Sequence, residues 1–80
     1  MARAIIRFSL DGDDGRVTTR VTKLLEGKGF SHGGTASHEA HTISEADLSA
    51  VVNAMVNLMP PDGSVVIDHL WVFMDRADSN

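Results

Sequence analysis

Ile43-Ser44-Glu45-Ala46-Asp47-Leu48 decides how the rest of the chain is read. Ser44 suits a helix N-cap, because its hydroxyl can accept from a free backbone N–H of the first turn. Asp47 stands three residues on, as in a capping box, and Ile43 and Leu48 sit where a hydrophobic staple closes. Leu48, Val51, Val52, Met55 and Met59 then recur on one helical stripe. Pro60-Pro61 stops the helix, and Asp62-Gly63 turns the chain. An amphipathic helix with firm ends needs an apolar sheet or helix to cover.

The partner surface lies at the start of the chain. In Ala2–Leu10, Ala4, Ile6, Phe8 and Leu10 alternate with Arg3, Ile5, Arg7 and Ser9, which predicts a strand with one clean apolar face. Asp11-Gly12-Asp13-Asp14-Gly15 reads as a turn. Val17, Val21, Leu24 and Leu25 predict a first helix over Gly15–Lys28, with Gly27 and Gly29 as stop signals. Phe30–Ile43 is expected to form a hairpin around Gly33-Gly34, its second arm running from Thr35 to Thr42. Val65-Val66-Ile67 is the pattern of a strand covered on both faces. His69–Met74 is expected to continue that strand or bend away as an extra C-terminal edge strand, and the residues after Asp75 form a polar tail. The order predicts an α+β, ferredoxin-like βαββαβ two-layer sandwich, a single domain over residues 1–75.

Composition narrows the function. With 42% hydrophobic and 22% charged residues the chain is globular in type. An 80-residue domain buries only about 60–65% of its unfolded surface. It has no cysteine, so neither a disulfide nor a thiolate-bound zinc can support it. Pairing of two copies is the remaining common route, and a homodimer is expected. Its interface would use Ile5, Trp71 and Phe73 on the uncovered sheet face. A net charge of −4 argues against general duplex-DNA binding. The N-terminal residues carry no signal-peptide pattern and no apolar run spans a bilayer, which predicts a cytoplasmic protein without membrane contact.

Ile5–Leu10 with its Asp-rich turn, Arg20–Phe30, Ile43–Leu48 and Ser64–Ile67 together resemble the small CRISPR-associated ferredoxin-like nucleases and their relative, virulence-associated protein D. The likeness spans roughly Ala4 to Val72, mostly at structural positions. It implies a homodimer. Where such proteins are ribonucleases, it also implies a carboxylate at the end of the first strand that binds a divalent metal. Ser9 follows Phe8 at that position here, and a hydroxyl does not bring the negative charge a hard cation wants. Asp11, two residues on and on the same strand face, is the replacement candidate.

Candidate sites follow from residue type. Asp11 and Asp13 are candidate Mg2+ ligands, with Asp11 as catalytic residue; turn and capping roles for Asp11, Asp13 and Asp14 compete with that. Arg7, Arg16, Arg20 and Lys23 are candidate contacts to RNA or to a protein partner; a solvated helix face accounts equally for the last three. His32, His38 and His41 are expected to be exposed or at an interface, where they could make dimerisation pH-sensitive, because His38 and His41 fall on opposite strand faces and do not suit one metal. Phe30, Trp71 and Phe73 are read as core or dimer residues before base-stacking ones. No nucleophile–base motif is recognisable. The expected function is a homodimeric protein-interaction module without a convincing active site, such as a phage or mobile-element accessory protein acting on a host factor, with Mg2+ the one candidate cofactor. The alternative is a Mg2+-dependent endoribonuclease or nucleic-acid-binding dimer.

Overall fold

The computed structural model describes residues 2–34 and 37–76. The elements run β1 (Ala2–Asp11), α1 (Arg16–Gly27), β2 (Ser31–Gly34), β3 (Ser37–Ile43), α2 (Glu45–Asn57) and β4 (Val66–Arg76). The sheet order is β2-β3-β1-β4 with every neighbouring pair antiparallel, as in a ferredoxin-like two-layer sandwich.

Each helix packs by the stripe its sequence displays. Val17, Val21 and Leu25 of α1 and Leu48, Val51 and Met55 of α2 are buried in one cluster with Ala4, Ile6 and Phe8 of β1. Val52 and Met59 are only partly buried. Ser44 caps α2 as its sequence predicts, its Oγ accepting from the Asp47 N–H at 3.1 Å. Helix α1 starts differently. Its N-cap is Gly15 at φ 107°, which offers no side chain. Asp13 does the capping from outside, accepting from the N–H groups of Val17 at 3.0 Å and Thr18 at 2.9 Å and from the Thr18 hydroxyl at 2.6 Å.

Four expectations are corrected. Gly33 and Gly34 belong to β2, with Gly34 paired to Ser37, so they are strand residues rather than the hairpin turn; the second arm is Ser37–Ile43, and Thr35 and Ala36 lie outside the described residues. Val65-Val66-Ile67 is not covered on both faces. Val65 is buried ahead of β4, whereas Val66 is 46% exposed, because it pairs with Asp11 on the sheet face that neither helix covers. His69–Met74 continues the strand, the first of the two outcomes expected for it: β4 runs unbroken to Arg76, with a bulge opposite Ser9 and Leu10. The third correction is the polar tail: Arg76, expected to lie in it, belongs to β4, and residues 77–80 lie outside the described residues. The fourth correction is His38. It is 2% exposed on the helix-facing side of β3, because it shares a strand face with the buried Ala40 and is flanked by Phe8 and His32 on the neighbouring strands.

Candidate functional site

Two surfaces carry the chemistry, one on each layer. On the sheet face away from the helices, β1 and β4 run in register with Ile5 opposite Phe73, Arg7 opposite Trp71 and Ser9 opposite His69. Trp71 and Phe73 are two residues apart on one strand, so both project from this face. Their rings stack at 5.7 Å between centroids with planes 8° apart. They remain 50% and 38% exposed. Arg3 closes one end of the face through an ion pair with Asp75 at 3.3 Å. Glu39 of β3 lies opposite Ile5. Arg7, Phe8, Ser9, His69 and Trp71 line a shallow depression at the other end.

That depression brings together residues that lie far apart in the chain. Ser9 Oγ lies 3.3 Å from His69 Nδ1, and the same nitrogen lies 3.0 Å from Asp68 Oδ2. Serine, histidine and aspartate suggest a nucleophile relay, but the geometry is not one. A relay needs the carboxylate on one ring nitrogen and the hydroxyl on the other, so that the imidazole can take the serine proton. Here both contacts fall on Nδ1, which orients the ring and leaves the Ser9 hydroxyl without a base. Sequence reasoning missed this grouping because the β1–β4 register, which sets His69 opposite Ser9, joins strands some 60 residues apart in the chain.

The second surface is α1. Arg16, Arg20 and Lys23 share a concave strip with Asp14, Gly15 and Thr19. Arg7 is not part of it, since it sits on the far face of the sheet; the four basic candidates thus divide into a helix set and a sheet residue. Arg16 also reaches back to Asp14, its Nε 3.3 Å from Oδ2.

The acidic turn is largely occupied by folding tasks. The Thr18 hydroxyl is the largest influence on the Asp13 carboxyl; desolvation opposes it, and the backbone N–H groups of Thr18, Val17 and Gly15 each add to the lowering, which brings the carboxyl to about 2. Asp11 is exposed at the end of β1. No group of three or more His, Asp or Glu side chains is placed to hold a metal among the described residues. His32 and His38 do meet, with ring centroids 4.8 Å apart, but His41 stands apart from them on the other face, 3.5 Å from Glu39. Phe30 is buried in the core.

A depressed carboxylate stabilises the fold above its unfolded value, and that contribution is lost as pH falls through its folded value. The difference in melting temperature between wild type and Asp13→Ala is therefore expected to be constant above about pH 4 and to close toward about pH 2. A gap that ignores pH over this range would mean that the charge of Asp13 does nothing for α1.

No helix among the described residues is long and apolar enough to cross a membrane. None of the protein families, curated proteins or solved structures with which the chain was compared matches it.

Proposed function

We propose that the protein is a homodimeric interaction module whose two copies close against each other through the open sheet face. One observation carries this: a stacked Trp71–Phe73 pair stands half in water beside Ile5, on a domain too small to leave such area unused without cost. Burying large aromatics gives the anchor residues typical of interface centres. The occupant is a second copy because the face carries both signs of charge, Arg3 and Arg7 against Glu39 and Asp75. A surface of mixed sign can complement itself under a two-fold rotation.

In this reading the dimer recognises a host protein, in the manner of a phage or mobile-element accessory factor, and leaves the α1 surfaces of both copies outward for that contact. The Mg2+-dependent ribonuclease alternative has less behind it. Ser9 replaces the carboxylate that the resemblance requires, Asp13 is engaged with α1, and Asp11 has no companion ligands placed around it among the described residues.

Sedimentation equilibrium tests the dimer. Wild type is expected to associate in the micromolar range, and Trp71→Asp to weaken association by about 30-fold or more, the effect of losing an interface anchor worth at least ~2 kcal/mol. Arg16→Glu, on the opposite layer, should leave association unchanged. A wild type that stays monomeric throughout that range ends the proposal.

A further inference from the structure

His38 is the one buried polar or charged side chain among the described residues, and neither of its ring nitrogens has a hydrogen-bond partner. The ring lies flat against Phe8 of β1, with centroids 5.7 Å apart and planes 20° apart. Its outer side is covered by His32 of β2, the residue directly opposite in the strand pairing. A neutral imidazole tolerates this place poorly, and a charged one does not tolerate it at all without a partner. The covering element is also the weakest in the sheet. β2 is a four-residue edge strand ending in two glycines, and its pairing with β3 is irregular between His32 and Gly34.

We propose that the His32–His38 pair is an acid-operated latch, in which protonation of His38 releases β2 from β3. Releasing β2 is the shortest way to bring water to His38, because Phe8 and the helix layer cover it from the other directions. The device acts on the opposite edge of the sheet from β4 and does not depend on the dimer.

The charged surroundings favour this direction. From β2, His32 opposes a charge on His38; from α1, Glu26 favours one; and β1 presents only Phe8 and Ile6. The buried residues of α2 are apolar. Desolvation is the largest influence and holds the His38 imidazole below its ordinary value, with His32 adding to it. The closed strand therefore binds fewer protons than the open one. Closure is fully favoured above the ordinary histidine value, roughly 6.5, and weakens as pH falls below it.

Native-state amide exchange, corrected for the intrinsic effect of pH, reads the latch. Between about pH 7.5 and about pH 5.5, protection of amides shared by β2 and β3 is expected to fall by up to about tenfold, the limit for a ring that stays neutral when closed. Amides shared by β1 and β4 should keep their protection. His38→Phe, which preserves the stack on Phe8, should abolish the fall, and His38→Leu serves the same purpose should Phe overpack the site. The latch is overturned by unchanged β2–β3 protection in wild type, by an equal fall in a folded His38 variant, or by a parallel loss in β1–β4 that marks global unfolding.

Discussion

Gly12→Ala is expected to lower the melting temperature by roughly 10–30 °C, a loss of about 2–5 kcal/mol for a domain of this size. Two costs combine. Gly12 adopts φ 86°, where a residue with a Cβ incurs about 1–2 kcal/mol. The added Cβ would also meet the carbonyl oxygen of Ser64 inside contact distance. Both partners are backbone, so no side chain can swing aside; the β1 end and the chain entering β4 must separate, at a further cost of about 1–3 kcal/mol. Gly63 isolates the second cost. It has φ 76°, yet nothing lies within 4 Å of its would-be Cβ, so Gly63→Ala should carry the conformational penalty alone. Equal losses at the two positions, measured by thermal unfolding at one protein concentration, would show that the Gly12–Ser64 approach contributes nothing.

Leu25→Ala should be comparably damaging, with an expected loss of about 2–5 kcal/mol. Leu25 is fully buried where α1 meets the sheet. Part of the loss is transfer of its side chain, and part is the cavity left behind, which neighbours held on strands can fill only incompletely. Small domains have total stabilities near the low end of about 5–15 kcal/mol, so this one change can leave much of the protein unfolded at 37 °C, itself about body temperature. Val56→Ala is the matched control. Val56 belongs to α2 but is 49% exposed, and its truncation should stay within about 0.5 kcal/mol. Chemical denaturation of both variants checks the pair, and a Leu25→Ala loss under ~1 kcal/mol would place α1 outside the cooperative core.

These effects explain why the alternation along β1 and the stripes of α1 and α2 are informative. Packing energy depends on which residues share a face, and sharing a face is a local property of spacing. The Ser44 cap and the proline stop are local in the same sense, so α2 was legible to within a residue or two. The turn glycines were less so. A Gly-Gly pair permits a tight turn without requiring one, and the pairing of Gly34 with Ser37 places both glycines in β2.

Element order, helical faces and a candidate sheet face bearing Ile5, Trp71 and Phe73 follow from the residues in line, because backbone period and end signals act over a few positions. The neighbours of each strand do not. Only the β2-β3-β1-β4 arrangement makes β4 an edge, buries His38 under His32, parts Arg7 from the α1 cations and, through the β1–β4 register, lays His69 beside Ser9. Those outcomes depend on contacts between segments distant in the chain, whose energies no local pattern records.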